Sequence, residues 1–225
     1  MPPFLGKYRG RVVDNNDPLK IGRVKALVPA TSDMELNWAM PCAPYAGPKV
    51  GFYAIPPVDA NVWIEFEGGD PNYPIWSGGF WDTKEARSVP PDATGPEKKV
   101  WQTDKMVLIL DDDAGELTAK MDTDNGTMSL VMNGNGIVLT ADKVTITLKI
   151  DSIELKQGPA SIKLAEDITL KKGAATVVVS DSIALKNGGA SAEIKTSAID
   201  LKNGGSSISM SPATVNVNNG ALEVM

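Results

Sequence analysis

Histidine is absent from the 225 residues, and cysteine occurs once, as Cys42. The first absence excludes an imidazole general base, a histidine-containing triad and any histidine metal cage. The second excludes an intrachain disulfide and a multi-cysteine zinc site, and it fits synthesis in a reducing compartment. No apolar run approaches the roughly 18 residues of a membrane span, and Met1-Pro2-Pro3-Phe4-Leu5-Gly6-Lys7 lacks the basic-then-apolar order of a secretory signal. The expectation is a soluble chain with no signal peptide, no catalytic residue, no metal and no cofactor. At 42% apolar and 22% charged residues it is globular rather than disordered.

Aromatic residues are missing from the whole second half. All thirteen lie at or before Trp101, as do fourteen of the sixteen prolines. An ordinary aromatic core is expected before that point and a thin aliphatic one after it. Residues 1–100 carry 11 basic and 12 acidic side chains, and residues 101–225 carry 11 and 16. Neither half is a basic footprint for nucleic acid.

The first part reads as short strands over residues 8–14, 21–28, 37–43, 51–55, 61–67 and 75–78, with turn chemistry at Asn15-Asn16-Asp17-Pro18 and Gly68-Gly69-Asp70-Pro71. Trp63 to Glu67 alternates as a half-buried strand does. Five or six strands in about 75 residues suit a small barrel that hides its edges, of OB type.

From Met121 the sequence repeats. An apolar residue, any residue, an apolar or small residue and then a glycine at the sixth place recur from Met121, Ile137, Ile153, Ile168, Ile183, Ile199 and Val215, at spacings of 16, 16, 15, 15, 16 and 16. The glycine is missing once, at Asp142. A second apolar pair follows nine residues after each start, as in Ile162 and Leu164, so each unit is two strands of about eight residues. Within a strand the apolar pair faces one side of the pleat, and Lys, Asp, Ser or Thr face the other. Two aliphatic side chains contribute about 3–6 kcal/mol on burial. Ordering eight residues of backbone costs about 8–16 kcal/mol. A lone strand therefore does not form, and the strands must stack, either as a flat solenoid on one chain or as a prism shared with sister chains. Three thin stripes facing one axis fill a narrow core with Ile, Val, Leu and Met and leave no space for rings, which accounts for their absence. The expected core residues are Ile153, Leu155, Ile168, Leu170, Ile183, Leu185, Ile199 and Leu201. About sixteen strands at roughly 4.8 Å each give a rod of roughly 75 Å.

Gly22-Arg23-Val24-Lys25, Pro56-Pro57, the segment Val62 to Pro71, Pro74-Ile75-Trp76-Ser77-Gly78 and Phe80-Trp81 resemble the OB-fold domain of baseplate assembly protein V, the central spike of contractile tails. That family's second half is a trimeric β-helix of short repeats, which the register after Met121 resembles. The resemblance implies an all-β chain: an N-terminal OB-fold barrel over 1–85, a linker over 86–105 and an intertwined trimeric β-helix spike over 106–225. It implies a homotrimer whose barrels fasten to a separate hub protein and whose β-helix pierces the target outer membrane mechanically, plugging the tube until contraction. The location implied is a virion tail baseplate or phage-like injection particle, assembled in the cytoplasm. Relatives that bind iron at the tip do so with a His-x-His motif, which is lacking here; a separate PAAR-like tip protein is expected at an apolar end formed by Leu222, Val224 and Met225. The alternative is a tail-associated glycan-binding or glycan-cleaving β-helical protein.

Several local patterns have a sharper and a plainer reading. Asp111-Asp112-Asp113 with Glu116 suggests a cation site or a carboxylate pair, but reads better as a solvated turn. Asp122-Thr123-Asp124-Asn125-Gly126 echoes a calcium loop, yet the twelfth position is Asn133, so it reads as a corner. Lys156, Lys171, Lys186 and Lys202 recur at one place and read as outward, solubilising residues rather than phosphate ligands. Cys42 is expected to be buried. Trp63, Trp76 and Trp81 are expected in the barrel core rather than on a stacking platform.

Overall fold

The structure is a computed structural model that describes residues 3–31, 36–83, 89–124 and 126–224. The chain divides into two units, Met1–Val89 and Pro90–Met225.

In the first unit the described strands are β1 (Tyr8–Asp14), β2 (Lys25–Leu27), β3 (Met40–Pro41), β4 (Ala46–Gly47), β5 (Val50–Gly51), β6 (Asn61–Phe66) and β7 (Pro74–Gly79). Alternation decides β6: Val62, Ile64 and Phe66 are buried while Trp63 and Glu65 face the other side. The main sheet runs β2-β1-β6-β7-β3, antiparallel except for the β3–β7 pair. Its outer strands meet through a bridge just ahead of β2 and β3. The Ala39 N–H donates to the Val24 carbonyl at 2.7 Å, and the Val24 N–H to the Ala39 carbonyl at 3.2 Å. That bridge joins the two edges into a barrel and removes them as templates for foreign strands. Val12, Val24, Val28, Val62 and Ile64 fill the interior, and Phe4, Tyr8 and Phe66 form a ring cluster beside it. β4 and β5 make a separate hairpin.

The second unit is one sheet of sixteen strands among the described residues, each paired antiparallel with its sequence neighbour. It opens with β8 (Lys98–Gln102), β9 (Met106–Asp111), β10 (Glu116–Thr123) and β11 (Gly126–Asn133) and ends at Leu222–Val224. β8 falls inside the stretch 86–105 and pairs with β9 over Lys98 to Gln102.

The two edges of this sheet differ. On one edge, from Asp142 to Gly204, strands are joined by two-residue turns whose first residue sits in the left-handed region: Gly158, Gly173, Gly188 and Gly204 have φ of 53–57°. Asp142, where the glycine is missing, adopts φ 53° as well, so the turn geometry is kept and only the side chain changes. On the other edge, from Lys149 on, the connections are three or four residues long. Ala165 and Ser180 close three-residue loops by donating their N–H groups to Asp167 and Ser182 at 3.0 and 2.9 Å; Lys149, Lys195 and Ser211 close four-residue loops at 2.8 Å. The two repeats of spacing 15 contain the short loops, and from Ile137 on those of spacing 16 contain the long ones. An insertion of one residue is absorbed entirely in a loop, and the strand register is undisturbed.

Candidate functional site

The pairing register stacks the apolar residues into columns. Leu148, Ile153, Leu164, Ile168, Val179, Ile183, Ile194 and Ile199 are successive cross-strand partners. Beside them Leu155, Ile162, Leu170, Val177, Leu185, Ala192 and Leu201 form a second column on the same face. The eight residues expected as core all lie in these columns. In the single chain each is 38–47% exposed. A monomeric protein does not leave an aliphatic stripe of this length facing water, so the face is built to be covered. Part of this face is an open groove of ≈ 800 Å³ lined by Leu155, Ile162, Leu170, Val177 and Leu185.

The opposite face is polar and internally paired over Ser182, Glu193, Lys195, Asp200 and Ser209. The Lys195 ammonium bridges Glu193 at 3.0 Å and Asp200 at 3.1 Å; Ser182 and Ser209 donate to the same two carboxylates at 3.2 and 2.6 Å. Glu193 and Asp200 are directly opposed in the ladder, and without the shared ammonium they would repel. The Lys195 contact foremost holds the Glu193 carboxyl below its ordinary range, and the Ser209 hydroxyl followed by Lys195 does the same for Asp200. Their carboxylates in turn raise Lys195.

The acidic run forms the turn between β9 and β10. Asp111 accepts the N–H groups of Asp113 and Ala114, both at 3.1 Å, and pairs with Lys98 at 3.4 Å; the Ala114 N–H is the foremost cause of its lowered pKa. Lys99 pairs with Asp112. Glu116 accepts from Asn133 at 2.8 Å and Thr118 at 3.0 Å, which lower its pKa in that order. These carboxylates are consumed by turn and strand contacts. The corner after β10 is held by Thr123 donating to the Gly126 carbonyl at 2.6 Å and Thr127 to Asp122 at 2.9 Å; Asn125 lies outside the described residues. Among the described residues no group of three or more His, Cys, Asp or Glu converges on one point. No described helix is long and apolar enough to cross a membrane.

At the C-terminal end Leu222 is 59% exposed and Val224 pairs with Val215, while Met225 lies outside the described residues.

In the barrel, two expectations are corrected. Cys42 is exposed, because burial alternates through β3: Ala39 points inward, so Met40 and Cys42 fall on the outer side of the bend, with the Cys42 N–H donating to the Trp76 carbonyl at 2.9 Å. Of the three tryptophans only Trp76 packs on the core, its indole N–H donating to the Gly22 carbonyl at 3.0 Å. Trp63 lies outside against Phe80 with the Arg9 guanidinium over both rings, and Trp81 is 62% exposed.

Sequence reasoning missed Asp17. This nearly buried carboxylate accepts the N–H groups of Leu19, Ile21 and Arg23 and a two-pronged contact from the Arg23 guanidinium at 3.0 and 2.7 Å. The guanidinium first, and the three amides after it, hold its carboxyl far below the ordinary 3.8. The Asn-Asn-Asp-Pro signal marked a turn; that Arg23 would fold back onto it was not visible locally. The contact stiffens the β1–β2 loop, which presents Leu19 and Ile21 to solvent. Tyr45, Val50, Phe52 and Tyr53 are likewise exposed on the β4–β5 hairpin and just beyond it.

A barrel closed by the Val24–Ala39 bridge and a sheet whose apolar columns stay exposed in the single chain define an all-β protein of two units with one uncovered apolar face. Residues 8–81 match the family described as Type VI secretion system/phage-baseplate injector OB domain, and residues 167–223 match the phage baseplate V C-terminal trimerisation domain. The chain belongs to the baseplate V and central-spike family, and the second match supports a homotrimer in a phage tail or injection particle. No curated protein matches the chain.

Proposed function

We propose that this chain is the central spike of a contractile tail or injection device, acting mechanically as a trimer that pierces the target envelope. The observation that carries the reading is the unbroken pair of aliphatic columns, still exposed in one chain and therefore available to face a common axis. In that arrangement Ile153, Leu155, Ile168, Leu170, Ile183, Leu185, Ile199 and Leu201 meet their counterparts, and the sheet after Met106 becomes a stiff rod. The outward face keeps its hydroxyls and the Glu193–Lys195–Asp200 cluster in water.

The barrel fastens the trimer to a separate hub at the tube end, with the exposed Tyr45, Phe52 and Tyr53 of the hairpin region as its contact. The sheet near the exposed Leu222 receives a separate tip protein. Before contraction the assembly closes the tube. Light scattering of the purified chain tests the foundation. A particle of three times 23.9 kDa supports the reading, and a stable monomer refutes it. Incubation with host polysaccharide tests the mechanical assignment, which forbids oligosaccharide release.

A further inference from the structure

Charge in the repeat region is sorted by edge. Between Lys149 and Ser211, the half of the sheet bearing the two-residue turns carries Lys156, Lys171, Lys172, Lys186 and Lys202 and no carboxylate. The half bearing the longer loops carries all seven carboxylates of the stretch and three lysines. Glu193 and Asp200 are occupied by Lys195. Among the described residues the other five, Asp151, Glu154, Glu166, Asp167 and Asp181, form no ion pair, although Lys163 stands opposite Glu154 in the ladder, and none of the five turn-half lysines forms one. One edge is left with unpaired cations and the other with unpaired anions.

A solubilising fringe has no need of such sorting, since mixed signs on both edges solubilise equally well. Sorting gives the sheet a direction. A closed ring of identical chains is made of heterologous contacts, in which one patch meets a different patch on the next copy. Turn edge against loop edge brings lysine to carboxylate. Turn edge against turn edge, as in a two-fold pair, brings lysine to lysine, and loop edge against loop edge brings carboxylate to carboxylate. The groove points the same way. It lies on the turn half, with Lys156, Lys171, Lys186 and Lys202 lining it beside the aliphatic column, whereas Ile153, Ile168, Ile183 and Ile199 lie toward the loop edge. Both edges repeat every two strands, so a match made at one repeat recurs at the next.

We infer that the three sheets associate head to tail, the basic turn edge of each copy seated against the acidic loop edge of the next, and that this polarity favours the ring over two-fold pairs. The inference rests on the trimer reading and adds its direction. The test is a charge-reversal cycle in the full-length chain. One variant carries K156E, K171E, K172E, K186E and K202E; a second carries D151K, E154K, E166K, D167K and D181K; a third carries all ten. Each is refolded at low salt and weighed by light scattering.

The yield of trimer is expected to fall at least about tenfold in either single-edge variant and to recover in the ten-fold variant, whose edges are complementary again with signs exchanged. High salt, near 1 M where the screening length is about 3 Å, is expected to restore the single-edge variants in part. Trimer yields equal to the unsubstituted chain in both single-edge variants would overturn the inference, as would a ten-fold variant that stays dissociated. A monomeric unsubstituted chain would instead remove the trimer reading beneath it.

Discussion

Replacing Ile183 and Leu185 with Asp is the most direct challenge to the inward assignment of the aliphatic columns. The two residues are consecutive inward positions of one strand and are 43% and 47% exposed in the single chain. Complete burial of such a side chain is worth about 1.5–3 kcal/mol, so covering the exposed part contributes roughly 0.7–1.4 kcal/mol each. Six such side chains meet in a trimer, and removing them forfeits about 4–8 kcal/mol of association energy. The substituted carboxylates add a larger penalty. Each ion taken from water into a dry interior without a partner costs several kcal/mol, and six of them would sit at one level of the axis. The double variant should therefore refold without trimerising, at a mass of 23.9 kDa in light scattering. Thr169→Asp, on the opposite face two strands earlier and facing Lys163 across the ladder, serves as the control and should assemble. A double variant that formed trimers as readily as the unsubstituted chain would refute the placement of these columns on the axis.

Asp142→Val should destabilise the sheet by about 1–2 kcal/mol, since a β-branched residue is forced into the left-handed region, whereas Asp142→Gly should be tolerated; thermal melting separates the two. Gly136→Ala should be worse than substitution at the turn glycines Gly158, Gly173, Gly188 and Gly204, because its Cβ would overlap the Leu148 carbonyl oxygen while theirs meet nothing. Asp17 is ionised in the folded barrel at a pH where the unfolded chain is already protonated, so its stabilising contribution is complete above the ordinary carboxylate pKa and is lost as pH falls below about 4. Asp17→Asn should melt earlier at neutral pH and show a shallower acid dependence between pH 4 and pH 2, as followed by tryptophan fluorescence. Phe52→Asp with Tyr53→Asp should leave the trimer mass unchanged and abolish incorporation into assembled particles, measured by sedimentation with tail tubes.

The change of composition at Trp101 and the two-residue alternation in the tail are legible in the sequence because both are one-dimensional signals. Loss of every ring after Trp101 and a spacing of 15 or 16 residues survive any folding detail, and period-two alternation decides which side chains share a face. β1 coincides with the strand read from the sequence, and β6 is shorter only at its end. β2 and β3 are much shorter than the apolar runs around them, since barrel closure there is made by the Val24–Ala39 bridge rather than by long strands.

What the sequence determined by itself was composition, period and side of the sheet, all of which follow from the covalent order and the geometry of an extended chain. Tertiary structure decided which side chains from distant positions meet. It set Arg23 against Asp17, turned Cys42 and Trp63 outward, let Asp142 stand in for a turn glycine, and from Ile137 on placed the difference between spacings of 15 and 16 into loops on one edge. Between Lys149 and Ser211 it also gathered all seven carboxylates on one edge and five of the eight lysines on the other, an order that alternating strand direction conceals in the linear sequence. These outcomes depend on chain reversal and ring closure, which bring together groups that local propensity treats as unrelated.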